Sequence, residues 1–386
     1  MKPVALLGLS LGTLLVPAAL WQAKPGQAPI VPLAPPAQPA QVIAKLPFLI
    51  DAPGRYVLAG SLRMLPRPSR GAEAGIVIRA DHVELDLGGF VLSGDEGSSS
   101  AVTIDLPERR DALFDVCVRN GTVTDWDGVG VDLTVVEGAR VIDVHVSLSG
   151  TAKAPAAGLR VGAAAVVEGC TARANTSTGI VAGEGALVSG CLSDRNGLDG
   201  FSLAGRSSAR DCSATRNARD GLLLSGGGCL LTACSAAGNG GEGIEASGTA
   251  ALSGCTASVN GGSGLLVGRG SRIAGCLATG NQHAGAVALG GLCRIEDNHL
   301  VLNGSALEAE GTGNVIVRNT VSETDLAGGL LEASQPGGVF VPDAMSLSLS
   351  IAGVGSVRTK PRAGPEGAQL EEDGGQLAPW ANIAVR

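Results

Sequence analysis

The chain has 386 residues, 59 of them glycine, well above the usual share of roughly 7%, and only five Phe, three Trp and one Tyr. At 45% hydrophobic residues its apolar content is Ala, Val, Leu and Ile, which suffices for a sizeable core and excludes wholesale disorder, while the lack of a glycine at every third position excludes collagen. With 28 Lys and Arg against 36 Asp and Glu the net charge is −8, the opposite of a nucleic-acid-binding footprint.

Lys2 followed by an uncharged apolar run over 4–20, with small residues at Ala18, Ala19 and Ala23, predicts a secretory signal peptide over 1–23. The expected location is secreted, periplasmic or cell-surface, with membrane contact only through the signal. Residues 24–41 carry six prolines from Pro25 to Pro39 and read as an extended linker. Residues 42–75, with Phe48 and Tyr56, read as the N-terminal cap that a solenoid needs over its open end. From Gly75 the pattern alternates as half-buried strands do, in Ile76-Val77-Ile78 and again from Val83 to Leu87.

A repeat then sets in. Cys170, Cys191, Cys212, Cys234, Cys255 and Cys276 are spaced 21, 21, 22, 21 and 21 residues apart, and Asn298 and Asn319 continue the column. Five residues after each cysteine stands an asparagine, Asn175, Asn196, Asn217, Asn239, Asn260 and Asn281, with a glycine four further on, from Gly179 to Gly285. This period, with short β-prone stretches and Gly or Asn at each bend, predicts an all-β, single-stranded right-handed parallel β-helix over 76–331. Coils stacked ~4.8 Å apart align equivalent residues in ladders. The cysteines are expected as small buried apolar filling, the asparagines as left-handed bend residues bonded to their counterparts one coil on, and the glycines as positive-φ positions. Residues 332–386 read as a low-complexity tail.

The stretch from Asp81 to Gly94, the Cys-Asn-Gly frame with its variants of Val-x-Gly-Cys-Thr-Ala, the opening segment with Phe48 and Tyr56, and the closing Pro379-Trp380-Ala381-Asn382 resemble the secreted bacterial right-handed β-helix repeat proteins of the pectate-lyase-like superfamily. The resemblance implies the fold and an association with polysaccharides or cell-envelope glycans. It does not fix a chemistry, since the fold hosts many.

Three constellations are candidates for function. Asp199, Asp220 and Glu242 occupy one position on successive coils. An oxygen-rich ladder of this kind suits a hard cation such as Ca²⁺, and a solvated turn edge is the alternative. Arg195 and Arg216 form a parallel column, with Arg219 beside them, and are the candidate catalytic cations. Trp126 between Asp125 and Asp127 is the candidate sugar-binding patch, or packs under the following turn. The four histidines show no ligand spacing. The expected function is a non-enzymatic structural or glycan-binding module with no cofactor. The alternative is a calcium-assisted polysaccharide lyase.

Overall fold

The computed structural model describes residues 39–65, 73–106 and 111–322, with short strands at 332–333, 342–343, 348–351, 355–358 and 382–385. The predicted signal peptide, most of the predicted linker and most of the predicted tail lie outside the described residues. Among the described residues no helix is long and apolar enough to cross a membrane.

The chain winds as a right-handed parallel β-helix whose regular coils each contribute three short strands to three stacks. The first stack runs through Ile180–Ala182, Phe201–Ala204, Leu222–Ser225, Ile244–Ala246 and Leu265–Val267. The second includes Leu187–Ser189, Ser208–Arg210, Cys229–Thr232 and Ala250–Ser253. The third includes Leu192–Asp194, Ser213–Thr215, Ser235–Ala237 and Thr256–Ser258. Pairing is parallel and in register, so Ile180, Phe201, Leu222, Ile244 and Leu265 form one continuous column. Before the regular coils, Val116–Thr124 and Arg140–Ser147 run unbroken through the second and third stacks. The opening segment joins the same system: Gln41–Ile43 pairs with Tyr56–Leu58, and Phe48–Ile50 with Ile76–Ile78.

Strands this short carry one or two inward residues each, which is why the composition looks as it does. The first stack turns in two per coil, such as Leu222 and Leu224, whereas the third turns in a small one, Ala172, Ala214, Ala236, Ala257 and Ala278. Large residues facing small ones fill a narrow bore at interior density without many rings. In the regular coils Phe201 is the exception and is fully buried.

The three corners differ. Between the second and third stacks the chain turns on one left-handed residue, such as Gly190 (φ 61°) or Asp211 (φ 54°), and the next residue, the cysteine, points inward. All nine cysteines are buried and unpaired. Hydrogen bonding from Cys170 and burial push the Cys191 thiol up to about 12, and Cys191 with burial does the same to Cys212. Between the third and first stacks the left-handed residue is the one before the asparagine, for example Arg195 (φ 54°) or Arg216 (φ 53°), which corrects the expectation that the asparagine itself adopts that conformation. Freed from that role, the asparagine points inward and bonds to the next coil. Asn196 donates both its backbone N–H and its Nδ2 to Asn217 Oδ1 at 3.0 Å, and Asn217 does the same to Asn239.

The glycine four residues on also differs from expectation, since Gly200, Gly221 and Gly243 do not have positive φ. It is required by crowding. A β-carbon on Gly221 would lie 2.5 Å from Gly243 O and 2.8 Å from Asn239 Nδ2. Between the first and second stacks the corner is irregular and, among the regular coils, absorbs the difference between 21 and 22 residues. Phe201 pairs with Leu222 at a separation of 21 residues, but Ser208 pairs with Leu230 at 22. The added residue falls in Gly226-Gly227-Gly228. The other long coil behaves alike, Leu265 pairing with Ala286 and Arg272 with Arg294.

Candidate functional site

At the corner between the third and first stacks, the column of carboxylates forms a ladder of its own. Asp199 Oδ1 accepts the Asp220 N–H at 3.3 Å, and Asp220 Oδ1 accepts the Glu242 N–H at 2.9 Å. The ladder brings together Asp220, Glu242 and a residue that sequence reasoning missed, Glu245, with one ligand oxygen from each within 4.8 Å of the others. Glu245 lies in the strand that follows Glu242, three residues outside the column used to find the others, so counting from the asparagine did not reach it. Asp199 stands one coil back, with Arg219 Nε at 3.8 Å from its Oδ1.

Asp220 is 3% exposed, and its Oδ2 has no hydrogen-bond partner. Arg219 Nη2 approaches it only to 3.9 Å. Burial raises the Glu242 carboxyl above its ordinary range, reinforced by the Asp220 carboxylate, and burial with the Asp220 and Glu242 charges raises Glu245. Burial likewise raises Asp199. Two like charges 4.8 Å apart repel by roughly 3 kcal/mol at an effective dielectric of ~20. Such a group holds a proton, or it holds a cation.

Arg195 and Arg216 lie elsewhere. They converge with Arg173 on Asp194, which is 4% exposed in the third stack. Arg216 Nε and Nη2 reach Asp194 Oδ1 at 2.9 and 2.8 Å, while Arg173 Nε and Arg195 Nη1 each reach Oδ2 at 3.3 Å. Thr215 Oγ1 donates to Oδ1 at 2.9 Å. The structure thus places the candidate catalytic arginines with Asp194, and of the arginines singled out in the sequence it is Arg219 that stands beside the carboxylate ladder. The left-handed turn at Arg195 and Arg216 directs both side chains toward the strand they leave. Three guanidiniums around one carboxylate leave two positive charges on the outside of the coils, with the arginine side chains about half exposed.

Trp126 is wholly buried, and its Nε1 donates to Leu92 O at 3.2 Å, which corrects the reading of an exposed sugar platform. Gly75 and Gly94 make room for the ring, since a β-carbon on either would lie within 2.6 and 2.9 Å of it. Its neighbours Asp125 and Asp127 instead line an open surface cavity of about 450 Å³ with Arg63, Asp95 and Glu96. Arg63 pairs with Asp95 at 3.1 Å, and Asp127 accepts the Gly97 N–H at 2.7 Å.

Fold and surface together define a parallel β-helical solenoid with charged clusters on its outer faces. The family described as "right handed beta helix region" matches residues 110–252, 157–300 and 200–338, more than half of the chain, and the protein belongs to it. Among solved structures, the A-module of mannuronan C-5 epimerase AlgE4 from Azotobacter vinelandii is similar, with a TM-score of 0.57 and 16% identity over 70% of this chain and 84% of that one. The A-module of mannuronan C-5 epimerase AlgE6 from the same organism has a TM-score of 0.53 and 18% identity over 78% and 89%. At these identities the likeness is one of fold. No curated protein sequence matches the chain significantly.

Proposed function

We propose that the protein is a secreted or envelope-associated solenoid that docks acidic polysaccharide on its outer surface without cleaving it. The observation that carries this reading is the arginine trio over Asp194. Arg173, Arg195 and Arg216 come from three successive coils and hold two uncompensated positive charges on a chain whose net charge is −8. Guanidinium forks match carboxylates in geometry as well as charge. A polyuronate carries carboxylates at regular intervals along an extended chain, suited to arginines repeated at the coil spacing of ~4.8 Å. Each contact is weak, and several along one polymer add by avidity. The fold shared with two modules named for mannuronan epimerisation supports a polyuronate as the first glycan to test.

The test is a glycan array with polymannuronate, polygalacturonate and neutral dextran, read for retention and for new chain ends, with and without CaCl₂. Salt-sensitive retention of the polyuronates is expected, with a loss of about tenfold, or ~1.4 kcal/mol, in the double variant Arg173→Ala/Arg216→Ala. Equal retention of dextran, or full retention by the double variant, refutes the reading. A second reading, a calcium-assisted polysaccharide lyase, draws on Arg219 beside Asp199 and Asp220. The same array decides it: new unsaturated chain ends that vanish in Asp220→Ala would establish lyase activity and displace the docking reading.

A further inference from the structure

We infer that Asp220, Glu242 and Glu245 form a divalent-cation site, suited to Ca²⁺, that ties two successive coils together and stabilises the solenoid. Its role is structural, and it rests on neither glycan docking nor cleavage.

Four observations meet at this place. One ligand oxygen from each of the three carboxylates lies within 4.8 Å of the others. Asp220 is 97% buried, counting from its 3% exposure, yet one of its oxygens lacks any hydrogen-bond partner. A buried carboxylate oxygen left in that state is costly unless a proton or cation completes it. The other Asp220 oxygen is engaged by the Glu242 N–H at 2.9 Å, which fixes the carboxylate plane and directs the free oxygen. Finally, the Glu242 carboxyl lies against Gly262 of the following coil, where a β-carbon would meet Glu242 Oε1 at 2.9 Å, so the glycine lets it hold this position.

The local cation does not fill the role. Arg219 reaches Asp220 Oδ2 only at 3.9 Å and Asp199 Oδ1 at 3.8 Å, beyond hydrogen-bond range. The other charged or titratable groups facing the site are Asp199 and His283. The site therefore carries four carboxylates, Asp199 included, against one distant guanidinium and one imidazole.

The donor set selects the ion. Three carboxylates with no nitrogen or sulfur donor among them favour hard cations over soft and borderline metals. Glu242 and Glu245 are half-buried on the outer side, so water can complete an irregular shell. Ca²⁺, with its six to eight flexible oxygen ligands, accepts this, whereas Mg²⁺ demands a near-ideal octahedron. Because Asp220 belongs to one coil and both glutamates to the next, the bound ion links adjacent coils. It converts a repulsive cluster into a cross-brace.

The test uses the full chain after removal of metal with EDTA, titrated with CaCl₂ by calorimetry and followed by thermal unfolding. The wild type is expected to bind Ca²⁺ more tightly than Mg²⁺ and to unfold at a higher temperature with Ca²⁺ than in EDTA. Glu242→Gln/Glu245→Gln is expected to weaken this binding at least tenfold, to lose the calcium-dependent rise, and to melt in EDTA no lower than the wild type, since repulsion has been relieved. The single variant Glu245→Gln, on the strand face, gives the same reading should the double variant fold poorly. Glu184→Gln, whose carboxylate pairs with Arg206, serves as a control that keeps the calcium response. The inference is overturned if calcium neither binds nor raises the unfolding temperature of the wild type, if the glutamine variants bind as the wild type does, or if Mg²⁺ binds more tightly than Ca²⁺.

Discussion

Replacing Asn217 by alanine removes one rung from the middle of the asparagine ladder. Four hydrogen bonds go with it: Asn217 Oδ1 accepts the Asn196 N–H and Nδ2–H, each at 3.0 Å, and Asn217 Nδ2 donates to Ser193 O at 3.2 Å and Asn239 Oδ1 at 3.0 Å. At ~1 kcal/mol net for each bond the loss is about 4 kcal/mol. The Asn196 side chain keeps Ala172 O and Ser193 Oγ as acceptors, but its buried backbone N–H keeps none of those described, so the estimate has no reason to shrink. Urea unfolding followed by far-UV circular dichroism measures it as a shift in midpoint at constant slope. Because the Asn196 and Asn217 side chains share one bond, Asn196 Nδ2–H to Asn217 Oδ1, the double variant Asn196→Ala/Asn217→Ala should fall short of the sum of the singles by about 1 kcal/mol. A loss below ~1 kcal/mol for Asn217→Ala, or strict additivity of the pair, would refute the claim that the ladder holds the coils.

Other consequences can be measured in the same way. Gly221→Ala, pressed against Gly243 O at 2.5 Å, should destabilise by about 1–3 kcal/mol, whereas Gly227→Ala, with its nearest neighbour at 3.7 Å, should leave the midpoint unchanged; equal midpoints for the two would contradict the packing argument. Trp126→Ala should cost about 3–5 kcal/mol, read by the same unfolding curves, and a neutral outcome would place the ring outside the core. The nine buried thiols should resist a thiol reagent in the native protein and all react in denaturant, and rapid native labelling would show that the bore is open. In EDTA, the raised Asp199, Glu242 and Glu245 carboxyls keep protons that the unfolded chain releases near pH 4. Their contribution to stability is complete below that pH and is lost as pH rises through the raised values. Stability relative to Glu242→Gln/Glu245→Gln should therefore fall as pH rises from about 4, and a rise across that interval would show that these groups ionise freely.

Much of this architecture was readable from residue spacing, because in a solenoid equal sequence intervals are equal positions in space. The cysteine and asparagine columns gave the coil length directly. What spacing did not reveal was direction. Arg195 and Arg216 sit beside the carboxylate column in sequence, yet a left-handed residue reverses where a side chain goes, and both arginines turn to Asp194. The same blind spot hid the reason for glycine at Gly221, where the constraint is the next coil's backbone rather than the residue's own φ. Glu245 was missed because its partners come from across a corner and from another coil. Trp126 shows the limit of local pattern, since flanking carboxylates suggest exposure while the ring is claimed by Leu92 and two glycines from other coils.

The unequal corners divide the surface into fixed mechanics and free ground. Two corners carry inward rungs, one a cysteine after a single left-handed residue and the other the asparagines, and extra residues there must leave the rung in place, as the five added between Ser147 and Leu159 do by following Ser149, which bonds to Asn175. The third corner already takes an extra residue at Gly226-Gly227-Gly228 without disturbing the pairing of Cys229 with Ala250 on the next coil. Along that edge a loop can be lengthened or a foreign peptide grafted while the bore stays as it is. It is there that recognition can diverge between related solenoids at no expense to folding.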